Sequence, residues 1–370
     1  MLDSRHRQSN CSRVMIMAGG TGGHVFPALA VAEVLMANNV AVSWLGTRKG
    51  IESELIPQRG IDLNYLNIEG LRGRGLLALL RAPFKLISSV LQACSVISQF
   101  NPSVVLGMGG FASGPGAVAA KIKGIPLVIH EQNSVAGTTN KLSAKLATRI
   151  LQGFPNTFKK AEWCGNPIRS EIATLHLETD RLVQRSGPLR GLVLGGSRGA
   201  LAINKLVPQA LAKIDSQHRP EVLHQVGGQH LELTQNMYLE QGHDIHSSSL
   251  RIVPFIEKMD EAYAWADFVI CRSGALTVSE LTAVGLGAFL IPFPYAIDDH
   301  QTVNGQWLVD SGAAEMMSES MLTAQKLADY LKQIDNNRDQ CVAMSNRAKT
   351  LAKLGAADRV AEVCMEAANG

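Results

Sequence analysis

The sequence predicts an α/β protein of two parallel-sheet domains, each beginning like a nucleotide-binding fold. Apolar, β-rich runs alternate with helical periodicity from end to end, at 40–45, 104–106, 127–129, 192–194 and 268–270, and such alternation implies parallel sheets wound by helices. A strand that empties into glycines occurs twice, as Met17-Ala-Gly-Gly-Thr-Gly-Gly23 and as Val193-Leu-Gly-Gly-Ser-Arg-Gly199. A chain of 370 residues with 46 % hydrophobic content is long enough for two cores. Ligands of open parallel sheets bind beyond the carboxyl ends of the strands, so the two domains are expected to face a central cleft.

Residues 1–11 read as a disordered tail; the basic residues Arg5 and Arg7 flank no apolar segment, so neither a signal nor a transit peptide is expected. Residues 14–17 form a strand that delivers the backbone to Gly19-Gly-Thr-Gly-Gly23, where glycines let a phosphate or sugar approach the amides. A helix over 27–38 aims its positive end at that ligand. The loop has Val25 where a dinucleotide fingerprint needs its third glycine. His24 sits at the helix start, where the dipole is expected to lower its pKa and keep it a neutral proton acceptor. A histidine that only caps the turn is the structural alternative.

Residues 71–85 interleave Arg72, Arg74, Arg81 and Lys85 with Leu76, Leu77, Leu79, Leu80 and Phe84. Basic residues beside exposed aliphatics describe a surface that lies on anionic lipid without entering it, and Lys121 and Lys123 add to it. A solvated helix with core leucines is the other reading. The spacing of Phe84, Ile87, Leu91, Cys94 and Ile97 is helical and reads as core. The longest apolar candidate, 76–97, is cut by Arg81, Pro83 and Lys85, so no membrane span of about eighteen residues is predicted.

After the strand at 104–106, Gly107-Met-Gly-Gly-Phe-Ala112 fits Gly-x-Gly-x-x-Ala, and Glu131 follows at about the distance of a ribose-binding acid. That pattern supports a nicotinamide oxidoreductase. The glycine run continues through Ser113-Gly-Pro-Gly116, which suits a broad anion cradle, and Gly109, Gly110 and Ser113 are expected to meet the diphosphate of an acceptor. His130-Glu-Gln-Asn133 supplies hydrogen-bonding groups for a polyol, or else caps a strand. The pattern weakens between 165 and 190, which places the interdomain connection there.

In the second half, Gly195-Gly-Ser-Arg-Gly199 is expected to hold phosphate through backbone amides and the Ser197 hydroxyl, with Arg198 beside it. The run Phe268-Val-Ile-Cys-Arg-Ser-Gly-Ala-Leu-Thr-Val-Ser-Glu280 turns a buried strand through Gly274 into a helix whose free amides face a diphosphate. Glu280 then lies about one and a half turns in, placed to accept ribose hydroxyls. A capping box of Thr277 and Glu280 is the structural alternative. Asp298, Asp299 and His300 are adjacent and lack a further ligand, so no metal is expected, and Gln301 is the better partner for a sugar hydroxyl.

Six scattered cysteines, at 11, 94, 164, 271, 341 and 364, form no Cys-x-x-Cys pair and point to a reducing compartment. A net charge of +3 is too small for a general nucleic-acid binder.

Together, Gly19–Pro27, Gly107–Gly116, His130–Asn133, Gly165-Asn-Pro-Ile-Arg169, Gly195–Ser197 and Cys271–Glu280 resemble the MurG family of peptidoglycan N-acetylglucosaminyltransferases, over nearly all of 13–365. The resemblance implies the GT-B architecture: an acceptor and membrane-side domain over 12–167, completed by a C-terminal helix at 347–366, and a UDP-sugar-binding domain over 168–346. It implies a metal-independent inverting transfer from UDP-N-acetylglucosamine to lipid I, with no cofactor, at the cytoplasmic face of the bacterial inner membrane. His24 would be the general base. Ile256 would meet the uracil, Glu280 the ribose, and Ala275, Leu276, Thr277, Val278, Ser279 and Ser197 the diphosphate. Arg169 and Gln301 would complete the donor set, with Thr21, Gly22, Gly23 and Asn133 reaching it from the first domain. Arg198 and Phe111 depart from the family pattern, which has glutamine and often tyrosine there. Beyond the oxidoreductase, the residues leave open a non-catalytic nucleotide-sugar sensor.

Overall fold

Two sheets, each entirely parallel, organise the chain. The computed structural model describes residues 12–68, 76–175, 185–196, 199–296 and 299–370, with the backbone alone described at 76–82. The expected tail at 1–11, Arg72, Arg74, Ser197, Arg198 and Asp298 therefore lie outside the described residues, as do the side chains of Leu76, Leu77, Leu79, Leu80 and Arg81.

The first sheet holds β1 (Arg13–Ala18), β2 (Ala41–Gly46), β3 (Asp62–Tyr65), β4 (Val104–Gly109), β5 (Leu127–Glu131), β6 (Arg149–Gln152) and β7 (Glu162–Trp163), in the order β3-β2-β1-β4-β5-β6-β7. The second holds β8 (Arg190–Leu194), β9 (Glu221–Gln225), β10 (Leu250–Val253), β11 (Phe268–Cys271), β12 (Gly287–Leu290) and β13 (Ala314–Met316), in the order β10-β9-β8-β11-β12-β13. Each is the doubly wound Rossmann order, in which the chain reverses direction of travel between the first and fourth strands. The glycine-rich loops singled out above follow β1, β4, β8 and β11, the four strands that flank these two switch points.

Strand β1 shows why the apolar runs are unbroken. Val14, Ile16 and Ala18 pack on one face against the helix α1 (Gly22–Ala37), while Met15 and Met17 pack on the other with Ala93, Ile97 and Ala117. A strand covered by helices on both faces has no polar side to alternate. In the second sheet, Phe268, Ile270, Phe289 and Ile291 meet Ile203, Val207, Leu327 and Leu331 in the same manner.

Helix α1 begins at Gly22, five residues before the expected start, because Thr21 is extended (φ −120°, ψ 159°) and its carbonyl accepts from the N–H groups of His24 (3.1 Å) and Val25 (3.2 Å). His24 is thus the third residue of the helix, in its first turn. The helices that follow in the first half are α2 (Glu52–Gln58), α3 (Leu76–Phe100), α4 (Ser113–Ile122) and α5 (Thr138–Ser143). Those of the second half are α6 (Ser170–Ala173), α7 (Leu201–Leu211), α8 (Leu231–Glu240), α9 (Met259–Trp265), α10 (Ala275–Val284), α11 (His300–Asp310), α12 (Ala324–Asn336) and α13 (Arg338–Thr350), and α14 (Ala356–Ala368) ends the chain.

Two compact units result, Met1–Arg169 with Gly355–Gly370, and Ser170–Leu354. The segment 347–366 is two helices rather than one, because Gly355 takes a left-handed conformation (φ 78°) between α13 and α14. Helix α14 adds Val360, Ala361, Val363, Cys364 and Ala367 to the first core. Arg359 fastens it from outside, meeting both carboxylate oxygens of Glu162 (2.6 and 3.1 Å) and also Glu362 and Glu366.

The stripe on α3 departs from expectation. Ile97 is buried and Cys94 half-buried, but Phe84 is 76 % exposed, Ile87 58 % and Leu91 65 %. Among the described side chains of the helix, Ala93 and Ile97 join the core under the sheet, and the apolar spacing at 84, 87 and 91 lies on the surface.

Candidate functional site

At the first switch point, the loops after β1 and β4 are in contact through glycine. Gly109 (φ 99°) lies against the His24 ring so closely that a Cβ there would be 2.8 Å from Cδ2 and 2.9 Å from Nε2. Gly110 (φ 87°) covers the Gly19 carbonyl, which a Cβ would overlap. Of the first loop's own glycines only Gly20 uses positive φ (92°); Gly22 is needed for proximity, since a Cβ would be 2.9 Å from the Phe26 ring. Thr21, Gly22, Gly23, His24, Gly109 and Gly110 therefore form one cluster. Ser113 belongs to its base: the hydroxyl is buried and lies 2.8 Å from the Met17 carbonyl and 2.7 Å from the Gly109 carbonyl, joining the ends of β1 and β4.

The acid beneath this cluster was missed by sequence reasoning. Glu52 is fully buried and accepts from Gly20 N–H (2.9 Å), Thr47 N–H (3.0 Å) and the Thr47 hydroxyl (2.7 Å). Its segment, Arg48-Lys-Gly-Ile-Glu-Ser, looks like a charged surface turn, and the only hint is the glycine at 50.

The ribose role considered for Glu131 is not supported, because that carboxylate is buried in its own turn. It accepts from the Asn133 backbone (2.9 Å) and side chain (3.2 Å), Gly137 N–H (3.0 Å) and Asn140 Nδ2 (2.9 Å). His130 bonds the Gly165 carbonyl at 2.8 Å, and Asn166 donates to the Gln132 carbonyl at 3.0 Å. The motif at 130–133 thus clamps the end of β5 to 165–166, and burial pushes the His130 imidazole down to about 4. Asn133 is held at the rim of this network. Arg169, half-buried, follows three residues after Asn166.

The second switch point is built differently. The loop after β8 is braced by Gln225, which donates to the Gly196 carbonyl (3.0 Å) and the Pro254 carbonyl (3.1 Å), so one side chain sets both this loop and the segment leading to the half-buried Ile256. After β11, Gly274 is the N-cap of α10 and no side chain caps it. The first backbone bond is Val278 N–H to the Gly274 carbonyl (2.9 Å), leaving the amides of Ala275, Leu276 and Thr277 ahead of the helical ladder. The Ser279 hydroxyl donates to the Ala275 carbonyl (3.0 Å), and Val278 is buried under the turn.

The N-cap of α10 is Gly274 rather than Thr277, so Thr277 and Glu280 do not stand in the positions of a capping box; Glu280 is buried and accepts from the Tyr263 hydroxyl of α9 at 2.9 Å. Burial, with Glu280 nearby, pushes the Cys271 thiol up to about 12, so it stays a thiol. The Gln301 carbonyl oxygen accepts from Phe293 N–H at 2.9 Å, which holds the side chain over the end of β12. Among the described residues no three His, Cys, Asp or Glu side chains gather as metal ligands, and the Asp299 carboxylate accepts from Thr302 at 2.6 Å.

Two family models match the chain, the glycosyltransferase family 28 N-terminal domain over 14–152 and the C-terminal domain over 192–360. The chain is 52 % identical over 362 residues to the UDP-N-acetylglucosamine--N-acetylmuramyl-(pentapeptide) pyrophosphoryl-undecaprenol N-acetylglucosamine transferase of Azotobacter vinelandii, covering 97 % of this chain and 99 % of that protein.

This chain belongs to glycosyltransferase family 28.

A second family 28 relative, the transferase of the same description from Nitrosococcus oceani, is 49 % identical over 361 residues, again 97 % of this chain and 99 % of its own. The crystal structure of Acinetobacter baumannii MurG matches with a TM-score of 0.83 at 38 % identity, covering 96 % of this chain and 99 % of that one. At 13 % identity, the kitacinnamycin glycotransferase structure still matches with a TM-score of 0.70 over 97 % of this chain and 99 % of its own, a likeness of fold alone. The expected GT-B class of two Rossmann-like domains is therefore the class of this glycosyltransferase.

Proposed function

We propose that this glycosyltransferase moves N-acetylglucosamine from UDP-N-acetylglucosamine to the C4 hydroxyl of the muramoyl sugar of lipid I, giving lipid II. The observation that carries the reading is 52 % identity along 97 % of the chain to a transferase named for that donor sugar and that acceptor. His24 takes the proton from the C4 hydroxyl while that oxygen attacks the anomeric carbon from the face opposite UDP. The bond from the anomeric carbon to the diphosphate oxygen breaks, and configuration inverts. The α10 amides, Ser197 and Arg169 stabilise the charge that grows on the departing diphosphate. Glu280 receives ribose hydroxyls, Ile256 lies at the uracil and Gln301 meets the transferred sugar. The packing of Gly109 on the His24 ring supports the assignment of the base, because it leaves the imidazole little freedom.

The decisive measurement is UDP release with and without a lipid I analogue. Release that depends on the acceptor is expected. Tight UDP-sugar binding without such release would make the protein a sensor, and preferential binding of NAD(H) would revive the oxidoreductase.

The enzyme works as a peripheral protein on the cytoplasmic face of the inner membrane, where a polyprenyl acceptor lies. Exposed Phe84, Ile87 and Leu91 beside Lys85 support this, and among the described residues no helix is long and apolar enough to cross a membrane. Reversing the charge of Arg72, Arg74 and Arg81 is expected to weaken binding to anionic vesicles, and unchanged binding would remove that role.

A further inference from the structure

Glu52 lies outside every motif that suggested chemistry, yet the first glycine loop is built around it. A Cβ at Gly19 or Gly50 would overlap its carboxylate oxygens, and one at Gly46 would lie 2.9 Å from its Cγ. Three glycines, one after β1 and two at and after the end of β2, thus make room for one buried acid. Its donors are divided between the oxygens: Oε2 accepts Gly20 N–H, while Oε1 accepts Thr47 N–H and the Thr47 hydroxyl. Gly20 has φ 92° and stands directly before Thr21, the N-cap whose carbonyl starts α1. A loop with four glycines has more backbone freedom to lose on ordering than one built from other residues. Glu52 supplies the fixed point.

We infer that Glu52 is a positioning residue for the transfer reaction: it sets the height of the Gly19–Gly20 backbone under Gly110, and through it the place of the His24 imidazole against Gly109. The inference rests on the assignment of His24 as base. Glutamine at 52 has nearly the same volume, but its amide turns an N–H group toward either Gly20 N–H or the Thr47 donors, so one end of the clamp opens. Misplacing a catalytic group by about 1 Å lowers turnover on the order of 100-fold.

The test is a double-mutant cycle with UDP-N-acetylglucosamine and a lipid I analogue, measuring kcat and donor KM for the parent enzyme, Glu52→Gln, His24→Ala and the double variant. Glu52→Gln is expected to lower kcat roughly 10- to 100-fold with donor KM within about two-fold, and to cost less than about two-fold more once His24 is absent. Equal losses in both backgrounds, or a loss carried by KM alone, overturn the inference while leaving His24 as base. Full turnover by His24→Ala overturns the base assignment and this inference with it. Thr47→Val, which removes one donor and keeps the carboxylate, runs the same cycle if Glu52→Gln does not fold; a several-fold fall in kcat confined to the His24 background is expected, and a fall of equal size without His24 overturns the inference.

Discussion

The two switch points use the same strand order and opposite devices. In the first domain a buried carboxylate, two positive-φ glycines and a histidine ring are packed against one another, so the loops are held from below by side chains. In the second, the backbone amides at the start of α10 have no side-chain cap, and the neighbouring loops are braced by Gln225 and Tyr263. The difference follows from the chemistry proposed for each. A proton acceptor needs one position to within a fraction of an ångström, whereas a diphosphate needs several donors and tolerates small shifts among them.

His24→Ala breaks the comparison most severely. Turnover with UDP-N-acetylglucosamine and a lipid I analogue is expected to fall on the order of 1,000-fold, while equilibrium binding of UDP is retained. Loss of UDP binding instead would move His24 to the donor.

The two glycine positions test packing directly by thermal or chemical unfolding. Gly109→Ala puts a methyl group against the His24 ring in a conformation with φ 99° and is expected to destabilise by about 2–4 kcal/mol. Gly274 has φ −64° and a Cβ there would lie 3.8 Å from its nearest neighbour, the Thr277 hydroxyl, so Gly274→Ala is expected to stay within about 1 kcal/mol of the parent. Similar losses at both sites would mean that the two loops are equally tight.

Acid sensitivity should be shared by the domains. Burial holds the folded His130 at about 4 and the folded His224 at about 3, below the ordinary 6.5, so the unfolded chain binds more protons between those values. Their contribution is fully present above about pH 6.5 and is lost as pH falls toward 4, reaching about 3 kcal/mol for His130. Chemical denaturation from pH 7 to pH 4 should show the slope, and His130→Gln should flatten it; an unchanged slope removes His130 as a cause.

Smaller effects separate binding from anchoring. Tyr263→Phe removes the hydroxyl bonded to Glu280 and should raise donor KM several-fold with kcat unchanged, a loss of about 1 kcal/mol. Arg359→Ala should lower stability by about 1 kcal/mol or less, since the Glu162 pair is partly exposed, and the loss should shrink in high salt. Arg359 also holds the Glu162 carboxyl below its usual range, so that contribution is present at neutral pH and fades as acid protonates the carboxyl.

Much of this was legible in the chain. Glycines after apolar runs mark sharp turns at strand ends whatever the surroundings, so the loops after β1, β4, β8 and β11 could be read from a few adjacent residues. Other residues were not legible because their partners are distant in sequence. Glu52 meets Gly20, 32 residues earlier in the chain. Glu131 is the local case, closed off within its own turn by Asn133, Gly137 and Asn140. Phe84, Ile87 and Leu91 have the spacing of a core, but spacing alone does not say which face meets the sheet.

The sequence by itself determined the α/β class and the four turn positions, and it supplied the candidate groups for the proposed chemistry, since strand and turn preferences act over a few residues. The tertiary structure decided that Glu52 lies beneath the first loop and that Gly109 rests on His24. Those arrangements depend on packing between segments far apart in the chain, where side chains compete for the same volume, and short-range propensity carries no information about that competition.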